Sequence, residues 1–182
     1  MTTDALSEPL HSNLTVSEGR DHYLDENGFT LAGYDEKWTQ ASFFGLNFSM
    51  PNTKHHRWAI MRHDLHHVAT GYGTDLVGEA EISAWELRKG FRGMGLYVSA
   101  IIVTGALFGL VIAPRRTIAA FRASQSTPSL FQSSLSYESL LAMNVGELRE
   151  TLGISPKGTT EIPRKLHPNA PRQAPSVPPV RA

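Results

Sequence analysis

Residues 51–89 read PNTKHHRWAIMRHDLHHVATGYGTDLVGEAEISAWELRK, and the fold follows from how that stretch divides. Asn52 or Thr53 suits a helix start, because such short polar side chains accept hydrogen bonds from the unpaired first-turn amides. The spacing predicts a helix from there to about Ala69 or Thr70. Gly71-Tyr72-Gly73 then breaks it. Thr74 is placed to cap a second helix, with Asp75 in its first turn, where negative charge meets the positive end of the helix dipole. This helix runs to about Lys89, and the glycine-rich bend lets it lie alongside the first.

Working outward, Gly90, Gly93 and Gly95 lead into Leu96–Ala113, eighteen residues without a charge. That length sits at the lower edge of a membrane span. The segment could cross a bilayer, rest in its interface, or form the central buried helix of a soluble bundle. Gly105 and Gly109 form a G-x-x-x-G pair that permits close helix packing in lipid, and such pairs serve soluble cores as well. Arg88, Lys89 and Arg92 flank one end and Arg115 and Arg116 the other, so charge asymmetry selects no orientation. The preferred expectation is a buried helix lining an apolar groove. Such a groove could hold an isoprenoid tail, each buried CH₂ contributing about 0.8 kcal/mol.

Pro114 ends the apolar stretch or starts the next helix, which carries Arg115, Arg116, Phe121 and Arg122. Residues 124–134, rich in Ser, Thr and Gln, read as a loop. A late helix is signalled by Asn144 with Glu147 as a capping box, Met143 with Leu148 as a staple, and Gly153 as the stop. Upstream, residues 1–20 read as a flexible tail and 21–52 as a short helix or two with loops. From Pro156 onward the prolines forbid a core, so 156–182 is expected to be disordered. No pair of strand-like runs stands out. The expected fold is all-α, a single compact helical domain over residues 21–155.

A chain of 182 residues with 41% hydrophobic residues can bury one core. Its formal net charge is zero, which argues against a general nucleic-acid binder. It contains no cysteine, which removes disulfides, thiolate catalysis and cysteine zinc fingers. The start MTTDALSEPL has neither the basic nor the apolar part of a secretory signal. The expected location is cytoplasmic, with peripheral attachment to the cytoplasmic face of the inner membrane as the membrane-bound variant.

Five of the eight histidines lie between His55 and His67. On a helix advancing about 100° per residue, His63, Asp64 and His67 fall on one arc, while Met61, Leu65, Val68 and Tyr72 fall on another. His63 and His67, four apart, are neighbours, as two imidazoles sharing one metal ion must be. Glu79 lies one turn into the second helix, beside the stripe of Leu76, Ala80, Ala84 and Leu87. A carboxylate at the border of a buried stripe is costly unless a cation pairs with it. His63, Asp64, His67 and Glu79 are therefore the candidate metal ligands. The same two histidines and aspartate also fit an exposed polar face, and spacing alone does not choose. His66 points off the ligand arc, as a supporting or surface residue. Asp75, Glu81 and Glu86 read as solvated helix charges outside the site.

The stretch HDLHHVATGYGTDLVGEAE, with His63-Asp64-x-x-His67, eleven residues, then Glu79, resembles the signature of the Coq-four family of ubiquinone-biosynthesis proteins. The TGYGTD turn and the late LAMNVGELRETLGI look like that family too, and the likeness covers roughly residues 30–155. It implies an all-helical fold and one divalent metal ion, zinc first, with iron or manganese as alternatives, on His63, Asp64, His67 and Glu79. It implies a part in coenzyme Q synthesis, in oxidative decarboxylation at C1 of a polyprenylated benzoate ring. It also implies partners: a prenylated aromatic or other isoprenoid lipid, a membrane surface, and other quinone-biosynthesis proteins or further copies of the chain. The rival expectation is a non-catalytic lipid-binding scaffold whose metal is structural. An HD-type phosphohydrolase, suggested by His63-Asp64, fits less well, since Glu79 sits where those enzymes use other, more distant ligands. His66 and Tyr72 are candidates for acid–base work only through their closeness in sequence.

Overall fold

Thr15 begins the first helix, α1 (Val16–Asn27), through a capping box in which its hydroxyl accepts from the Glu18 amide and Glu18 reaches back to the Thr15 amide at 2.8 Å. The computed structural model describes residues 6–7, 11–43, 46–125, 127–159 and 164–165. The tail expectations for 1–5, 8–10, 160–163 and 166–182 lie outside the described residues. Residues 11–20, expected in the flexible tail, belong to the fold. Val16 has no exposed surface, and backbone hydrogen bonds tie it to Met143, and Leu14 to Val145. At the other end the packed chain runs past 155. The Thr159 amide bonds the Thr70 carbonyl, and the buried Arg149 guanidinium holds the carbonyls of Ala69 and Pro156.

After α1 come a 3-10 turn (Leu31–Asp35) and an antiparallel hairpin, β2 (Trp38–Phe43) with β3 (Leu46–Pro51), in register from Trp38 opposite Pro51 to Phe43 opposite Leu46. Both follow a two-residue strand, β1 (Leu6–Ser7), that pairs with β4 (Arg164–Lys165). The hairpin corrects the expectation of a short helix or two with loops over this part of the chain. The remainder is helical: α2 (Lys54–Thr70), α3 (Leu76–Lys89), α4 (Gly95–Ile112), α5 (Pro114–Ala123), α6 (Tyr137–Leu141) and α7 (Val145–Thr151). The fold is a single compact helical domain.

The decisive stretch folds nearly as read. Thr53 caps α2 by accepting from the His56 amide, and Gly71, at φ +80°, closes it in the left-handed conformation that glycine adopts without strain. Asp75, not Thr74, caps α3, accepting from the Gly78 amide at 2.9 Å. Thr74 instead bonds the buried Asn27 of α1. A Cβ at Gly78 would overlap the Gly73 carbonyl. Glycine there lets α3 begin against the bend, so Glu79, the next residue, stands over α2. Leu65, Val68 and Ala69 of α2 join Ile82 and Trp85 of α3, Tyr23 and Leu24 of α1, and Leu140, Leu148 and Leu152 in the main core. Asn144 and Glu147 form the expected capping box of α7.

The apolar helix is not central. α4 packs against α3 and α5 along one side, where Val98, Ile102, Ala106 and Gly109 are buried. Gly105 lies against Ser83, and Gly109 against Ala80 and Thr117, so the G-x-x-x-G pair seats α4 on α3. The other side faces solvent: Leu96 is 91% exposed, Val111 79% and Leu107 58%. This corrects the expectation of a buried helix. Uniform apolarity says that a helix can be covered all round, but among the described residues only one side has neighbours.

Candidate metal centre

Two helices supply the centre. α2 carries His63, His66 and His67 on consecutive turns, and α3 carries Glu79 and Glu86, seven residues apart and so on one face of the helix. His67 is fully buried, and its Nδ1 lies 3.0 Å from the Tyr72 carbonyl. A carbonyl only accepts, so Nδ1 carries the proton and Nε2 presents a lone pair. His63 turns Nδ1 to the Glu86 carboxylate at 2.9 Å and Nε2 to His67 Nε2 at 3.1 Å. Glu79 closes the triangle, with Oε2 3.4 Å from His63 Nε2 and Oε1 3.5 Å from His67 Nε2.

These separations are close to the edges of a metal-coordination polyhedron. Donors about 2.0–2.1 Å from a tetrahedral zinc ion lie about 3.3 Å from one another. His63 Nε2 and His67 Nε2 stand 3.1 Å apart, close enough to share a proton or to bind one ion in its place. His63, His67 and Glu79 could therefore hold a metal ion. The side chains of His63 and Glu79 are 25% and 44% exposed, and that of His67 is not exposed at all. A tetrahedral ion held by these three donors would keep a fourth position on the exposed flank.

The electrostatics fit a cation-ready site. Burial would raise the Glu79 carboxyl, but His67 and His63 outweigh it and hold it well below the usual carboxylate range. Burial would likewise raise Glu86, yet His63 and then His66 bring it to about 2. For His63, burial disfavours charge, but Glu86 and Glu79 together push its pKa well above the ordinary value. Two ionised carboxylates around two imidazoles make a partly buried acidic cluster, which favours a divalent cation.

The fourth predicted ligand is placed differently. Asp64, one residue from His63, is buried and taken up by two phenols, Tyr34 at 2.5 Å and Tyr23 at 3.3 Å. Burial raises its pKa. It stands outside the three-residue donor group. Tyr23 also stacks on His67, ring centroids 5.5 Å apart, so α1 braces the site through Asp64 and His67 together.

Two of the three acids set aside as solvated are not. Glu86 has no exposed surface. Glu81 is buried and forms a two-pronged ion pair with Arg116 of α5, at 2.8 and 2.7 Å. Asp75 serves as a helix cap. His66, expected off the ligand arc, is fully buried. Its Nδ1 bonds Glu86 at 2.7 Å, and its Nε2 accepts from the Leu130 amide at 3.1 Å. The seven-residue interval from Glu79 to Glu86 is the sequence signal that points to Glu86. His55 and His56 sit a turn or more before the site, His55 on the Met94 carbonyl and His56 against Tyr97. They join α2 to the start of α4.

Comparison with models of known protein families, with curated protein sequences and with solved structures yields no match.

Proposed function

We propose that this chain is a metal-dependent enzyme acting on a membrane-borne prenylated aromatic acid, in the manner of the ubiquinone-biosynthesis family that its H-D-x-x-H-x11-E stretch resembles. The observation that carries the reading is the open triangle of His63, His67 and Glu79, whose donor spacing suits a divalent ion with a free position. A bound ion would act as a Lewis acid toward a substrate carboxylate or phenolate. Two histidines and one carboxylate suit zinc, and equally iron or manganese. The reaction that fits best is oxidative decarboxylation at C1 of a polyprenylated benzoate, in which water would supply the new ring hydroxyl, the carboxyl would leave as CO₂, and dioxygen would take the two electrons as hydrogen peroxide. Tyr23 stacks on His67 on the buried side, and His63 and Glu79 are the part-exposed members of the triangle.

The membrane part of the reading rests on α4 and α5. On a helix of about 100° per residue, Leu96, Ala100, Leu107 and Val111 make one stripe opposite the buried one. Ile118 and Phe121 of α5 are also exposed. From Leu87 to Tyr137 the chain has no Asp or Glu, while Arg88, Arg92, Arg115 and Arg122 are exposed. An apolar stripe edged by unopposed arginines suits the interface of an anionic membrane, where rings and aliphatic chains enter the acyl boundary and guanidinium groups meet phosphates. α4 is long and apolar enough to span, but it is seated on α3 by Gly105 and Gly109, and α5 returns to α3 through the Arg116–Glu81 pair. The interfacial position keeps that packing intact.

Incubation with a prenylated hydroxybenzoate in phosphatidylglycerol vesicles, followed by mass spectrometry, tests the reading. Metal-dependent loss of CO₂ from the ring supports the enzyme. A metal-loaded protein that binds such vesicles but leaves the substrate unchanged supports the scaffold reading instead. Failure to float with anionic vesicles removes the membrane role.

A further inference from the structure

Glu86 lies beside the metal triangle without belonging to it, and its hydrogen bonds carry more information than its position. The Leu130 amide can only donate, and it points at His66 Nε2 from 3.1 Å. His66 Nε2 is therefore the accepting nitrogen, and in the neutral ring the proton sits on Nδ1. That proton is donated to Glu86 Oε1, 2.7 Å away. The same oxygen lies 2.9 Å from His63 Nδ1. A carboxylate oxygen only accepts, so His63 also carries a proton on Nδ1; its Nε2 faces Glu79 at 3.4 Å and His67, where an ion entering the triangle would take the place of the Nε2 proton. The second oxygen of Glu86 is buried without a hydrogen-bond partner among the described residues. The carboxylate is therefore held wholly through the oxygen shared by the two imidazoles.

We infer that Glu86 is the positioning residue of this centre: its shared oxygen fixes His63 in the Nδ1–H form and aims Nε2 at the ion. His66 is the second anchor, tying that carboxylate to the loop at Leu130. His67 is oriented by a different device, the Tyr72 carbonyl, so the two ligands are set independently. A carboxylate behind a ligating histidine fixes the ring and raises its basicity, and its removal typically costs about 10–100-fold in metal affinity. Glu86 touches neither ion nor substrate and is not a catalytic residue. The inference rests on the metal reading proposed above.

Zn²⁺ dissociation constants, measured by competition with a chromophoric chelator, test it on the wild type and on Glu86→Gln, with His67→Ala as the ligand-loss reference. Glu86→Gln keeps the shape and loses the charge. The expected result is binding weakened by about 10–100-fold in a variant that is folded, though less stable than the wild type, before zinc is added. Long-range ¹H–¹⁵N spectra of the zinc-loaded wild type supply a readout that a merely structural role would not move. His63 should show a hydrogen-bonded Nδ1 proton and a zinc-bound Nε2. Equal affinity in Glu86→Gln and wild type, or His63 bound to zinc through Nδ1, overturns the role of Glu86 and leaves the metal site standing. A wild type that takes up no Zn²⁺ overturns both. If Glu86→Gln does not fold, the wild-type spectrum alone decides.

Discussion

Replacing Gly109 with alanine adds one methyl group at a close contact where α4 meets both α3 and α5. Built on the backbone, that carbon lies 2.6 Å from Ala80 Cβ and 2.6 Å from Thr117 Oγ1. Carbon atoms pack best at about 3.5–4.0 Å, so α4 must move away from α3 by roughly 1 Å. Overfilling a packed contact costs about 1–3 kcal/mol, while alanine for glycine inside a helix returns about 0.5–1 kcal/mol. The net expectation is a loss of about 1–2 kcal/mol, or about 2–8 °C in the unfolding midpoint for a chain of this length. Ala80 adjoins Glu79, so the same displacement disturbs the metal triangle, and Zn²⁺ binding weakens with stability. Calorimetry and chelator competition on metal-free protein measure the two effects, with Thr104→Ala on the outer side of α4 as the control that leaves both unchanged. A Gly109→Ala protein more stable than the wild type would refute the reasoning, because that is how an unobstructed helix glycine responds.

Asp64→Asn should keep one equivalent of bound metal while losing about 1–3 kcal/mol, because the carboxylate is spent on the hydroxyls of Tyr23 and Tyr34; loss of metal with an intact fold would make Asp64 a ligand after all. The metal-free protein should weaken as the pH falls from 4.5 to about 2. Glu86 is held at about 2 against an ordinary 4.5, so across that window the unfolded state binds the extra proton and folding loses its advantage. Urea midpoints that stay flat over this range in wild type, or fall equally in Glu86→Gln, would contradict that assignment.

The helix starts and stops were legible because they are local. Thr53, Gly71, Asn144 and Gly153 act on amides and carbonyls within a turn of themselves. Three of the four metal candidates were legible because a four-residue interval and a glycine bend suffice to bring His63, His67 and Glu79 together. Asp64 was not: adjacency to His63 turns it about 100° round the helix, and only the packing of α1 and the 3-10 turn shows that two tyrosines wait there. Glu86 was in reach, two turns beyond Glu79 on the same face, but an acid among other helix acids reads as solvated until a partner helix covers it. Glu81 depends on Arg116, thirty-five residues away, and no periodicity reports that pair. In the hairpin, Leu46, Phe48 and Met50 alternate with Asn47 and Ser49, a period-two signal set among residues that otherwise suggest loops. The exposure of α4 was illegible for the opposite reason. A helix apolar on every side carries no mark of which side its neighbours cover.

Zinc titration of the metal-stripped protein, run in parallel on wild type and His67→Ala, tests the central claim most directly. Saturation at one ion per wild-type chain, with no stoichiometric uptake by the folded variant, is the predicted result. Wild type that never saturates, or a variant that still takes up one full equivalent, would contradict a cation held between His63, His67 and Glu79.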